Sequence, residues 1–336
     1  MLTLDEISKI DQNNMYMTYE KWPEIAKSSY NKTFDKIELQ NIDHIVFAGM
    51  GGSGTIGDIF SSILSKTHMH VTVVKGYSLP KTVNEKTLVV CTSISGNTKE
   101  TLSILENSKT NNAKFVCMSS GGIMENYCQK NNLSFYKIEK NHSPRASLPN
   151  YTYSILRTLN SIFPINKSEV TESIDELKTI SNLVSSNNLS PSNVSLELAN
   201  WIDGVPIIYY PWGLEAGAIR FKNSLQENAK SHAFVENVIE SGHNGIVSWE
   251  RSSDMVPIMI KGEDDHIKTK ERWNIVRQYF NQNNIEFKEV NSVTGGILSK
   301  IMHLIYVLDY SSIYYAIRLG INPTPIKSID FIKDKL

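Results

Sequence analysis

The chain has 336 residues, 40% of them apolar and 21% charged, with a formal charge of −1, which is enough for about two domains with ordinary buried cores. So even a balance leaves no broad basic surface for a nucleic-acid backbone or an anionic membrane, and no segment reaches the ~18 apolar residues of a membrane span. Cys91, Cys117 and Cys128 lack CxxC spacing and the opening MLTLDEISKIDQNNMY has no signal-like apolar core, so buried reduced thiols and a cytoplasmic setting are expected.

In chain order, a helical N-terminal segment precedes HIVFAGMGGSG, a short apolar strand that runs into glycines. A helix is predicted over TIGDIFSSILSK, where Ile56, Ile59, Phe60 and Ile63 recur at helical spacing. HVTVVKGY and KTLVVCTSI read as short β-branched strands of the kind buried in parallel sheets, followed by a helix over NTKETLSILENSKTNN. AKFVCMSSGG and LSFYKIE add two more strands. From about 161 to 200 the chain turns polar and rich in Ser and Asn around one predicted helix, which marks a seam. The rhythm then restarts: strand GVPIIYYPWG, helix EAGAIRFKNSLQENAKS, strand MVPIMIKG, helix HIKTKERWNIVRQYFNQNN, strand EFKEVNS and the long apolar helix SKIMHLIYVLDYSSIYYAIRLG. The expected architecture is α/β, with two doubly wound parallel sheets of similar build and helical N- and C-terminal segments. The expected boundaries are 1–160 for the N-terminal segment and first α/β domain, 161–200 for the seam, and 201–336 for the second domain with its C-terminal helices and tail.

Two loops invite a ligand. GMGGSG places Gly49, Gly51 and Gly54 in a G-x-G-x-x-G spacing between a strand and a helix, the setting of a dinucleotide fingerprint. That reading demands an acid about 20 positions on, yet the second strand ends in Lys75, which suits only a 2′-phosphorylated cofactor such as NADP. The second loop, TSISGNTKET, sets Ser93, Ser95 and Thr98 around Gly96 at a strand-to-helix junction. Hydroxyls and backbone N–H groups there can converge on one anion. The alternative is an ordinary helix cap, with Glu100 completing a capping box. One cap uses one hydroxyl, so three beside a glycine favour a phosphomonoester.

GMGGSG, SISGNT, PRASLP, QENAK, SGHNG and the ending NPTPIKSIDFIK, in this order from Gly49 onward, resemble the bifunctional phosphoglucose/phosphomannose isomerases, built from two sugar isomerase (SIS) domains. The resemblance implies a cofactor-free and metal-free enzyme that interconverts glucose 6-phosphate and mannose 6-phosphate with fructose 6-phosphate. It implies a homodimer whose active site lies between the SIS domains and is completed by the neighbouring subunit. By the same resemblance, Ser93, Ser95 and Thr98 bind phosphate, and Gly51, Gly52 and Ser53 line the sugar. Arg145 faces the enediolate, Glu227 is the base, and His243 opens the ring from the partner chain. The active-site lysine is Lys333 or Lys327, Lys333 fitting the SIDFIK ending better, and Thr324 matches the threonine that leaves room for both C2 epimers.

The chemistry suits these residue types. Moving a proton from C2 to C1 through an enediolate calls for a base, a ring-opening proton shuttle and a fixed cation beside the oxyanion; carboxylate, imidazole and guanidinium fill those tasks. Without the resemblance each residue reads blandly. Glu227 falls off the apolar stripe of its helix, and only the motif selects it over Glu236 or Glu240. His243 sits in a glycine-flanked turn, Arg145 reads as a surface arginine in a segment without regular structure, and Lys327 and Lys333 read as solvated. The eight histidines show no HExxH or comparable spacing, and His68 and His70 read as loop-edge residues. The tyrosines of the last long helix read as core or dimer interface. A SIS-fold sugar-phosphate sensor, which keeps the phosphate loop but not the base, is the alternative function, with the NADP-dependent oxidoreductase behind it.

Overall fold

A computed structural model describes residues 2–35, 37 and 39–336. Along the chain run α1 (Leu4–Ile10), α2 (Met15–Glu20), α3 (Trp22–Asn31), β1 (His44–Ala48), α4 (Gly52–Leu64), β2 (His70–Val74), β3 (Thr87–Thr92) and α5 (Lys99–Glu106). Next come β4 (Lys114–Ser119), α6 (Gly122–Lys130), β5 (Ser134–Lys137), α7 (Leu148–Thr158), α8 (Lys167–Val184), α9 (Val194–Trp201), β6 (Val205–Tyr210) and α10 (Glu215–Asn228). The chain closes with β7 (Phe234–Asn237), α11 (Val238–Ser241), β8 (Met255–Lys261), α12 (Ile267–Gln282), β9 (Lys288–Asn291), α13 (Ile297–Arg318) and α14 (Lys327–Lys333).

Two compact units result, one of residues 21–167 and 327–336, the other of residues 1–20 and 168–326. The first holds a parallel sheet in the order β2-β1-β3-β4-β5. Its central strands β1 and β3 are buried along their whole length, which is why they read as unbroken apolar runs. Val46, Val89, Cys91, Ile104, Leu105, Cys117 and Met124 pack into one core cluster of this unit. All three cysteines are buried and free.

The second unit holds a parallel sheet in the order β7-β6-β8-β9. Tyr209, Val238, Met259, Trp273 and Phe280 form a core beside it. Helix α13 is buried along nearly its whole length, and Tyr306, Tyr310 and Tyr314 are no more than 1% exposed, stacking edge-on or tilted along its axis. Residues 2–20 belong to this unit because α13 supplies their partners. The Tyr306 hydroxyl donates to Tyr19 O at 2.8 Å, and the Tyr19 and Tyr310 rings meet edge to face at 6.0 Å.

Several elements differ from the sequence reading. Helix α4 begins at Gly52, three residues before the predicted start at Thr55. The seam holds two helices, α8 and α9. Strand β7 was not expected: its four residues, Phe234 to Asn237, are exposed or half-buried on the sheet's edge and carry no apolar alternation. His70 opens β2 and stacks on His44 at 4.4 Å, so it is not a loop-edge residue.

Candidate active site

In a parallel sheet the ligand crevice lies beyond the carboxyl ends of the strands, where the strand order reverses. In the first unit that reversal falls between β1 and β3, which are paired with Ala48 opposite Cys91. The glycine loop leaves β1 and the serine–threonine loop leaves β3 at this point, so topology brings both sequence motifs to one crevice. The loops are also joined directly: Ser53 Oγ accepts from the Ile94 amide at 3.3 Å.

The serine–threonine loop is not a simple helix cap. Thr98 stands at the N-cap of α5 but makes no side-chain capping bond. Its hydroxyl instead accepts from Ser93 Oγ at 2.9 Å, while Ser93 Oγ accepts from the Gly96 amide at 3.1 Å and Ser95 Oγ accepts from the Asn97 amide at 3.2 Å. Glu100 does not complete a capping box; it accepts from the Tyr77 hydroxyl at 3.3 Å. The first amides of an α-helix have no partner within the helix, so the start of α5 presents N–H groups beside three hydroxyls, a setting for an anion. Gly96 is required here. It adopts φ +72°, and a β-carbon on it would collide with the Gly121 carbonyl.

Arg145 is not the surface arginine that its segment suggests without the resemblance. It is 2% exposed and opens a short 3-10 turn, Arg145–Ser147, that leads into α7. The turn is locked from both sides. Trp22 Nε1 donates to Ala146 O at 3.0 Å, and Ser147 Oγ donates to Ser143 O at 2.9 Å and accepts from the Asn141 amide at 2.9 Å. Gly52 lets this turn approach the glycine loop, for a β-carbon there would lie 3.3 Å from Pro144 O. Three of the six motifs therefore converge in one unit: Gly51, Gly52 and Ser53; Ser93, Ser95 and Thr98; and Arg145.

The dinucleotide alternative relied on Lys75. Its ammonium is 2.7 and 2.6 Å from the two carboxylate oxygens of Asp58, a residue 8% exposed on α4. A cation neutralised in this way is a poor receptor for a 2′-phosphate.

In the second unit Glu227 is half-buried in the last turn of α10. The neighbouring face of that helix carries a buried polar stripe, with Arg220 two turns before Glu227 on nearly the same side. Arg220 Nε and Nη2 grip Asp309 of α13 at 2.6 to 3.1 Å, Ser224 Oγ donates to Asp309 Oδ1 at 2.6 Å, and Asn228 Nδ2 donates to Ser312 Oγ at 2.8 Å. Burial disfavours the Arg220 charge, but Asp309 outweighs it and holds the guanidinium above its ordinary pKa, with a smaller push in the same direction from Glu227. Nothing in the sequence marks this pairing, because its partners lie more than 80 residues apart.

His243 is exposed in the turn after α11, where its amide donates to Glu240 O at 2.9 Å. Of the carboxylates that competed with Glu227, Glu240 accepts from Asn244 Nδ2 at 2.9 Å within this turn. Glu236 lies on β7 with its carboxylate where a β-carbon on Gly245 would stand; burial, then Glu240, raises its pKa. Because α10 runs antiparallel to the strands it connects, Glu227 sits at the edge where β6 and β7 begin, and His243 follows the end of β7. A four-residue strand, ~13 Å, separates those edges.

Thr324 is half-buried, its amide donating to Asn322 Oδ1 at 3.0 Å. Lys327 and Lys333 are both exposed, at opposite ends of α14, about 120° apart around the helix. Lys230, the last residue of QENAK, was passed over in the sequence and bonds to the carbonyl end of α10. No group of three potential metal-ligating side chains is gathered among the described residues, and no described helix is long and apolar enough to cross a membrane.

Comparisons with known proteins bear on the family and the fold. Residues 38–161 match the SIS domain family, and residues 192–336 match the bacterial phospho-glucose isomerase C-terminal SIS domain. The bifunctional phosphoglucose/phosphomannose isomerase of Aquifex aeolicus is 30% identical over 99% of both chains. That of Caldicellulosiruptor bescii is 31% identical over 89% of this chain and 91% of its own. Tagatose-6-phosphate ketose/aldose isomerase from Escherichia coli shares the fold, with a TM-score of 0.66 at 13% identity over 96% of this chain and 94% of that one. The chain belongs to the family of bifunctional phosphoglucose/phosphomannose isomerases.

Proposed function

We propose that this protein interconverts glucose 6-phosphate and mannose 6-phosphate with fructose 6-phosphate by proton transfer through a cis-enediolate. The observation that carries the reading is the loop at the β1/β3 reversal, whose three hydroxyls are not used to cap α5. Ser93, Ser95 and Thr98 receive the phosphate, and Gly51, Gly52 and Ser53 line the sugar.

Glu227 removes the proton from C2, the electron pair passes into the C1 carbonyl, and the resulting enediolate carries its charge beside Arg145. Glu227 then returns the proton to C1 while the C2 hydroxyl proton passes to the C1 oxygen, leaving the ketose with its C1 hydroxyl. The pre-set fork of a buried guanidinium suits this task, since it needs no reorganisation as charge develops. Thr324 faces C2 and admits both epimers. Lys333 is assigned to the substrate, with Lys327 on another face of the same short helix as the alternative.

His243 opens the ring, and we assign it to the site of a partner subunit in a homodimer. The support is topological: Glu227 and His243 stand at opposite edges of one sheet, so a single hexose is poorly placed to meet both from one protomer. The three buried, free cysteines fit a reducing cytoplasm. The deciding experiment is an assay of the purified protein with glucose 6-phosphate, mannose 6-phosphate and the unphosphorylated sugars. Fructose 6-phosphate should form from both esters and no ketose from the free sugars; inactivity on both esters would refute the reading.

A further inference from the structure

We propose that Lys230 is a positioning residue that sets the sugar selectivity of the site by fixing the Thr324 segment against the end of the Glu227 helix. The proposal rests on the roles given above to Glu227 and Thr324. It begins with how α10 ends. The Ala229 and Ser231 amides both donate to Leu225 O, at 3.0 and 3.2 Å, which leaves the later carbonyls of the helix to find other donors.

The Lys230 ammonium takes them, lying 2.6 Å from Glu227 O and 3.3 Å from Asn228 O. The same ammonium is 3.1 Å from Pro323 O and 3.4 Å from Asn322 O. Four carbonyls from two segments separated by 92 residues thus share one cation, which has three protons to give. Asn322 passes the restraint on, since its Oδ1 accepts from the Thr324 amide at 3.0 Å. Three hydrogen bonds, running through Lys230 and Asn322, therefore connect the backbone of the base to the residue assigned to C2.

The backbone of Lys230 supports a role for its side chain. Its φ of +56° is a left-handed conformation that a residue with a β-carbon enters at a cost and glycine enters freely. Glycine is the undemanding residue for this turn, and lysine stands there with all the consequences of a β-carbon. What lysine adds is the ammonium.

Glucose and mannose 6-phosphates differ only in the orientation at C2, so the spacing between the base and the wall facing C2 separates them. A displacement near 1 Å is enough to cost about 100-fold in rate. An ion-carbonyl staple between base and wall sets that spacing directly.

The test uses Lys230→Gly, which favours the left-handed turn and removes the staple, with Lys230→Arg as the conservative variant. Rates with glucose 6-phosphate and mannose 6-phosphate are measured together with the thermal midpoint. Lys230→Gly is expected to lower kcat by about tenfold or more and to change the mannose-to-glucose kcat/KM ratio by about threefold or more. The KM for both esters should move little, because the phosphate loop lies on a different sheet. Lys230→Arg, which keeps the cation, should return most of the ratio. An unchanged ratio in Lys230→Gly, whether the rates hold or fall equally with the thermal midpoint, overturns the proposal and leaves the isomerase reading standing. Inactivity of the wild-type protein on both esters overturns both.

Discussion

The loop from Ser93 to Thr98 and the end of α10 both hold polar groups still, and they do it in opposite ways. The loop ties itself with bonds spanning two to five residues: Ser93 to Thr98, Gly96 to Ser93, Asn97 to Ser95. The end of α10 is held by residues 84 to 93 positions away: Asp309 and Ser312 on α13, Asn322 and Pro323 beyond it. The loop's hydroxyls depend on near neighbours, while its backbone is also anchored at a distance through Ser53, Ser120 and Met124. The helix end is exposed to damage at distant positions, and its precision depends on a buried ion pair.

The largest expected effect comes from the helix end itself. Glu227→Gln keeps shape and hydrogen bonding but removes the base, and kcat should fall by about 10²- to 10⁴-fold while calorimetry still detects binding of fructose 6-phosphate. Next is the support behind it. Asp309→Asn leaves Arg220 as a buried charge without its counter-ion, which should cost about 3–5 kcal/mol in denaturant unfolding; replacing both members with apolar residues should cost less. A fall under 1 kcal/mol for the single change would show that the pair is not what holds α10 to α13.

The loop should respond differently. Ser95→Ala with Thr98→Val removes two hydroxyls that accept from the Asn97 amide and from Ser93 Oγ, so KM for the 6-phosphates should rise by roughly tenfold or more, with a stability loss of about 1–3 kcal/mol. Unchanged KM would detach this loop from the phosphate. The smallest effect concerns Glu236, whose pKa is raised by burial and by Glu240. A carboxyl that holds its proton more tightly when folded favours the folded state at acid pH. That advantage disappears as pH rises from the ordinary carboxylate range through the raised value. Glu236→Gln should therefore flatten this part of the stability–pH curve, as followed by thermal midpoints between pH 4 and 7.

The same contrast explains what could be read in the sequence. The strands β1 and β3 declared themselves as continuous apolar runs, and the loop after β3 declared its chemistry because its partners are neighbours. Alternation of strand and helix was enough for the two doubly wound sheets. The burial of Arg145 was not legible, since it depends on Trp22 reaching Ala146 across 124 residues. Nor was the Arg220–Asp309 pair, whose members look like solvated helix charges until two helices are brought together. Strand β7 was missed because an exposed edge strand carries no apolar pattern. Lys230 lay within a recognised motif, and the signal that could have drawn attention to it, a lysine in a left-handed turn, exists only in the backbone.

The central claim is that Glu227 carries a proton between C1 and C2 of a phosphorylated hexose. Incubating the protein with fructose 6-phosphate in heavy water, and following the C1 and C2 positions by NMR, tests it most directly. The wild-type protein should introduce deuterium into substrate and products, and Glu227→Gln should bind the ester yet introduce none. Deuterium incorporation by Glu227→Gln at the wild-type rate would contradict the account.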